Sequence, residues 1–138
     1  MFSKDCLFLI NKVSTSTINT QYYKTIFVRG KKHGLFKEMW NNGQIAEKCF
    51  YKNGVVDGFL RCWHYNGIKS SECFIKNGFR DGLEQEWHEN GEKHIERVWK
   101  DGVQDGLEQW WISNGQKCYE CVWKNGKQER VLSWRWNN

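Results

Sequence analysis

From Gly34 onward the chain alternates apolar and polar positions in runs of about seven residues, each ended by an Asn-Gly or Asp-Gly pair such as Asn42-Gly43, Asn53-Gly54 or Asn90-Gly91. Runs this short do not make helices; they predict hairpin strands joined by type I′ turns. The pattern recurs every 24 residues, with opening glycines at Gly34, Gly58, Gly82 and Gly106. Its columns hold an apolar residue (Leu35, Phe59, Leu83, Leu107), then Met39, Trp63, Trp87 and Trp111, then Phe50, Phe74, Val98 and Val122, then Lys52, Lys76, Lys100 and Lys124, and a closing Asp57, Asp81, Asp105 or Glu129. Half a unit precedes this array and VLSWRW begins another after Glu129. Terminal units that depart from the pattern are the usual caps of repeat stacks.

The expectation is therefore all-β: an elongated single-layer antiparallel β-hairpin repeat ribbon of roughly nine strands, with four full units and partial terminal ones. The domain spans residues 20–138, and residues 1–19 are a cap or tail whose secondary structure stays open. A two-residue turn at Asn90-Gly91 pairs Trp87 with His94, Gln85 with Glu96, Glu84 with Arg97 and Leu83 with Val98, so opposite charges meet. The same count pairs Phe59 with Phe74 and Arg61 with Glu72, but in the first unit it opposes Lys37 to Lys48 and Glu38 to Glu47. Each opening glycine faces Tyr51, Ile75, Trp99 or Trp123, which predicts that glycine leaves room for those side chains. One apolar aromatic face, bent or curled on itself, and one wetter face with charge ladders are expected.

The motif G-[LF]-x-x-x-W-x-x-N-G-x-K-x-x-E-x-[FV]-x-K-[ND]-G-x-x-[DE]-G resembles the MORN repeat, in the longer variant found in bacterial proteins described as antitoxin components and in proteins of large DNA viruses. The resemblance runs from about Thr20 to Glu129. It implies a β-hairpin ribbon serving as an interaction scaffold, self-assembly platform or lipid-contacting module, with no catalytic residues to carry over. The 24-residue spacing exceeds that of the shorter MORN consensus.

Composition narrows the setting. The 138 residues include 16% aromatics, nine Trp and no Pro, a profile unlike that of disordered chains. No apolar run approaches the roughly 20 residues of a transmembrane helix. The run Cys6 to Ile10 is shorter than a secretory core, so an intracellular, cytoplasmic protein with reduced thiols is expected, or one in host cytoplasm or a virion. An Asn- and Lys-rich chain without Pro fits an A+T-rich genome, viral or low-G+C bacterial.

Candidate chemistry is sparse. Cys118 and Cys121 lie three apart on one strand and face opposite sides, so they do not share a metal. Cys49, Cys73 and Cys121 share a column about 10 Å apart, too far for a disulfide. His64 and His88 share another column, with no acid to orient them. No nucleophile elbow or phosphate loop is present. No enzyme, cofactor or metal site is expected.

Two surfaces remain as candidates. Lys52, Lys76, Lys100 and Lys124 form an evenly spaced ladder able to face lipid or nucleic-acid phosphates, although Asp57, Asp81, Asp105 and Glu129 recur five residues later and partly cancel its field. A solvated ladder that discourages edge pairing is the plainer reading. Trp40, Trp110, Ile112 and Tyr119 break columns that are elsewhere polar or small. Trp40 pairs with Ile45 and Trp110 with Tyr119, making apolar patches that either meet a partner or pack beneath terminal segments containing Trp134 and Trp136. A protein partner or self-assembly is the leading expectation, with anionic-membrane binding and antitoxin-like inhibition as its rivals and nucleic acid the weakest.

Overall fold

The computed structural model describes residues 15–19 and 23–135, with side chains from Phe27 onward. Its thirteen strands are β1 (Thr15–Asn19), β2 (Tyr23–Val28), β3 (Lys31–Lys32), β4 (Gly34–Met39), β5 (Ile45–Lys52), β6 (Val55–Val56), β7 (Gly58–Trp63), β8 (Lys69–Lys76), β9 (Phe79–Trp87), β10 (Lys93–Lys100), β11 (Val103–Trp111), β12 (Lys117–Lys124) and β13 (Lys127–Trp134). They form one open antiparallel meander in the order β1-β2-β4-β5-β7-β8-β9-β10-β11-β12-β13, with β3 on β2 and β6 on β5. Among the described residues there is no helix. The all-β hairpin ribbon is the fold, with more strands than the nine expected. Part of the excess is β1, which lies in the segment that the sequence leaves open.

The two turn families differ. At Asn53-Gly54, Asn77-Gly78, Asp101-Gly102 and Asn125-Gly126 both residues have positive φ, between 47° and 88°, as a type I′ turn requires. Asn42-Gly43, Asn66-Gly67, Asn90-Gly91 and Asn114-Gly115 depart from the expectation, because only their glycines have positive φ. There the turn is one residue longer: Gly91 N donates to His88 O at 2.9 Å and His88 N to Glu92 O at 2.9 Å. The Asn side chain stabilises it, Asn90 Oδ1 accepting from Glu92 N at 3.1 Å. The bulge moves the register by one residue at the strand ends. Trp87 therefore pairs with Lys93 instead of His94, and Ile45 with Met39 instead of Trp40, while Gln85–Glu96, Glu84–Arg97 and Leu83–Val98 pair as counted.

The opening glycines do face Tyr51, Ile75, Trp99 and Trp123. The reason is different from the expected one at Gly82, where φ is +97° and an added Cβ would meet nothing within 4 Å. The backbone conformation, not the room above it, demands glycine there. At Gly106 both apply, because φ is +134° and a Cβ would lie 2.9 Å from that of Val98.

The two faces do not divide into apolar and wet. One, here the sealed face, carries the buried Cys49, Cys73, Ile75, Glu84, Ile95, Glu108 and Cys121. The other, the open face, carries an apolar row beside a charged one. In the charged row Arg61 pairs with Glu72, and Lys69, Lys93 and Lys117 each bridge a carboxylate three residues on. Burial opposes the Glu72 carboxylate, but the hydrogen bond from Arg61 and the charges of Lys69 and Arg61 outweigh it and hold the group below the usual carboxylate range.

Units lock to one another at both turn edges. Asn42, Asn66 and Asn90 each donate Nδ2 to the carbonyl 23 residues ahead, at 2.8, 2.8 and 2.6 Å. Trp40, His64 and His88 do the same with a ring nitrogen, to Trp63, Trp87 and Trp111 O. At the opposite edge Val55, Phe79 and Val103 lie over Gly78, Gly102 and Gly126 of the following turn. Each such bond contributes on the order of 1 kcal/mol, and the repetition aligns every unit with the next.

Candidate functional site

Where the sealed face meets the longer turns, two hollows open three units apart. The N-terminal one has a volume of about 580 Å³ and is lined by Glu38, Trp40, Glu47, Trp63, Tyr65 and Glu89, among others. The C-terminal one, about 520 Å³, is lined by His88, His94, Trp110, Tyr119, Trp134 and Arg135, with Ile112 and Cys118 in the same wall. The positions correspond through the repeat: Glu38, Glu47, Cys62 and Trp63 become Trp110, Tyr119, Trp134 and Arg135. Equal backbone positions thus make one acidic and one aromatic, cationic cavity.

The expected aromatic residues separate accordingly. Trp110, Tyr119 and Trp134 form an edge-to-face row with centroids 5.3 and 5.0 Å apart, and Ile112 lines the same hollow. The expected pairing of Trp110 with Tyr119 is observed. Trp40 stands at the other end, its ring edge-on to Tyr65 at 6.0 Å, and Ile45 does not pair with it. Trp136 lies outside the described residues. Terminal packing and exposure both occur, since Trp134 covers Tyr119 while Trp110 and Trp134 themselves stay exposed.

His88 and His94 lie with ring centroids 4.2 Å apart. Burial and then the neighbouring His88 push the His94 imidazole below its ordinary value. His88 Nε2 donates to Trp111 O, which fixes its tautomer. Among the described residues no group of three His, Cys, Asp or Glu side chains is placed to hold a metal.

The lysine ladder sits at the type I′ edge. Lys52 and Lys76 lie 4.0 and 3.7 Å from Asp57 and Asp81, and Lys124 reaches back 3.1 Å to Asp105. Lys100 also acts electrostatically on Asp105. Cys49, Cys73 and Cys121 are buried free thiols. The Cys49 thiol is pushed up to about 12 by burial and the charge of Glu47, which leaves it unreactive.

Arg135 is not singled out by the sequence, and His94 is set there opposite Trp87 with no second His within reach, whereas the structure brings it beside His88. The signal was present for Arg135, which stands in the column of Trp63, Trp87 and Trp111. His94 reaches the hollow through the bulge beside Lys93, which the two-residue turn count does not anticipate.

A family model described as MORN repeat variant matches residues 32–53, 80–101 and 104–125. The chain carries MORN-type repeats. The matched segments fall on the hairpins β3 to β5, β9 to β10 and β11 to β12, so the MORN unit is the hairpin pair described above. MORN repeats are a non-catalytic family associated with protein and membrane interaction. None of the curated proteins matches the chain. No helix among the described residues is long and apolar enough to cross a membrane.

Proposed function

We propose that this protein is a non-enzymatic protein-interaction or assembly scaffold built from MORN-type repeats. The supporting observation is the apolar row on the open face: Leu35 opposite Phe50, Phe59 opposite Phe74, Leu83 opposite Val98 and Leu107 opposite Val122. Leu35, Phe50, Phe59, Leu83 and Leu107 are 38–48% exposed. At about 4.8 Å per strand the row runs roughly 30 Å along the ribbon, a length of uncovered apolar surface that favours a partner. The ion-paired lysine ladder gives less support to anionic-membrane binding, because its field is largely neutralised at the surface. Antitoxin-like inhibition is a special case of protein capture. We place the protein in the cytoplasm, with residues 20–138 as the repeat domain and 1–19 as its cap or tail.

The test is a tagged pull-down from the native source at physiological salt, with mass spectrometry of eluted proteins and lipids, using wild type and a Phe59→Glu, Leu83→Glu variant. A stoichiometric protein partner that the variant loses is expected. Recovery of anionic lipid alone, equal for both chains and abolished by salt, overturns the reading.

A further inference from the structure

Resting on the interaction reading, we infer that the C-terminal hollow receives an apolar side chain from an acidic segment of a protein partner, the segment's carboxylate meeting Arg135. The cavity of about 520 Å³ has the size of a site for one or two side chains. Its floor is the edge-to-face row of Trp110, Tyr119 and Trp134, which offers ring faces and edges to an inserted aromatic or aliphatic group.

Charge selects the rest of the occupant. Among the described residues no carboxylate lines this hollow, and Arg135 is exposed and makes none of the ion pairs found there. On the adjoining β13, Arg130 stands opposite Val122 of the open face and Lys127 opposite Lys124 at the type I′ edge, so Arg135 is the cation of β13 and its end that lines this hollow. A guanidinium at the rim of an aromatic pocket suits a carboxylate, to which it presents paired N–H donors. The N-terminal hollow supplies the contrast. There Glu38 and Glu47 stand directly opposite each other, with Glu89 nearby, so an acidic segment is repelled. One hollow therefore accepts this partner and the other, three units away, rejects it, which gives the partner a direction along the ribbon.

The experiment is an NMR titration of the ¹⁵N-labelled full chain with three peptides of one design, alternating phenylalanine and leucine with aspartate, with asparagine or with lysine. The aspartate peptide is expected to shift the indole signals of Trp110 and Trp134 and the amide of Arg135. Its affinity should exceed that of the asparagine peptide at least tenfold, and the lysine peptide should leave these signals unmoved. Arg135→Glu, at an exposed position, should lower the aspartate peptide's affinity at least tenfold and admit the lysine peptide. Equal binding of all three peptides, shifts centred on Trp40, indifference to Arg135→Glu, or no binding of the aspartate peptide overturns the inference. If the pull-down partner is still lost with the Phe59→Glu, Leu83→Glu variant but kept with Arg135→Glu, this inference fails while the scaffold reading stands.

Discussion

In the first two units the sealed face is filled by Phe36 with Tyr51 and Leu60 with Ile75, whereas at the same positions of the last two it is filled by Glu84 with Trp99 and Glu108 with Trp123. A one-layer sheet offers no opposing layer, so each side chain is covered by its neighbours on adjacent strands. An apolar pair achieves this directly. A carboxylate does so only when donors replace the water it gives up. Trp99 Nε1 donates to Glu84 at 2.6 Å, and the guanidiniums of Arg80 and Arg97 lie 3.1 and 3.0 Å from it. Glu108 accepts from Gln104 at 2.8 Å, Trp110 at 2.7 Å, Trp123 and the Cys121 thiol, all neutral. The two carboxylates are equally hidden, 5% and 4% exposed, but only the first is balanced by charge. Identical backbones thus support three ways of closing the same position.

The largest effect should separate the two carboxylates. Glu84→Gln leaves Arg97, partly enclosed, with Glu86 as its remaining ion pair among the described residues, and should cost about 3 kcal/mol in urea unfolding. Glu108→Gln strands no cation and sheds the desolvation of a charge, so a loss of about 1 kcal/mol is expected. Equal losses would mean that the guanidiniums contribute nothing to the difference.

A smaller contrast divides the glycines of the same two units. Gly106→Ala meets both an unfavourable φ and the Val98 side chain, and should cost about 2 to 3 kcal/mol. Gly82→Ala meets only the φ, and a loss about 1 kcal/mol smaller is expected in the same assay. The order would reverse if packing over the glycine mattered more at Gly82.

The smallest effect concerns pH. Burial and His88 disfavour the proton on the folded His94, while in the unfolded chain it takes a proton near the ordinary value of about 6.5. Stability from this group is therefore complete above that value and is lost progressively as pH falls below it toward the lower folded value. Glu86, which favours the charged form, and Arg97, which opposes it, also act on this ring. Urea midpoints measured from pH 8 to 5 should fall less for His94→Gln than for wild type. Ser70 and Cys118 occupy the equivalent places in the neighbouring units, so the effect belongs to the third unit alone.

Much of this was readable beforehand. The hairpin period, the interior pairing of Glu84 with Arg97 and Arg61 with Glu72, and the type I′ turns at Asn53-Gly54 and its equivalents follow from spacing. The loop at Asn90-Gly91 departs from the two-residue expectation because the dipeptide alone does not distinguish such a turn from one that the Asn side chain stabilises with an extra residue. That single residue places His94 beside His88 and separates Trp40 from Ile45.

The amino-acid order by itself determined the repeat, the strand succession and most of the register, because side-chain alternation and turn chemistry act over a few residues. Only the tertiary structure decided which face is sealed, which aromatic residues share a hollow and which carboxylates are hidden. Those outcomes depend on side chains from units 24 residues apart and on how far an indole or guanidinium reaches across a neighbouring strand, distances that no local pattern encodes.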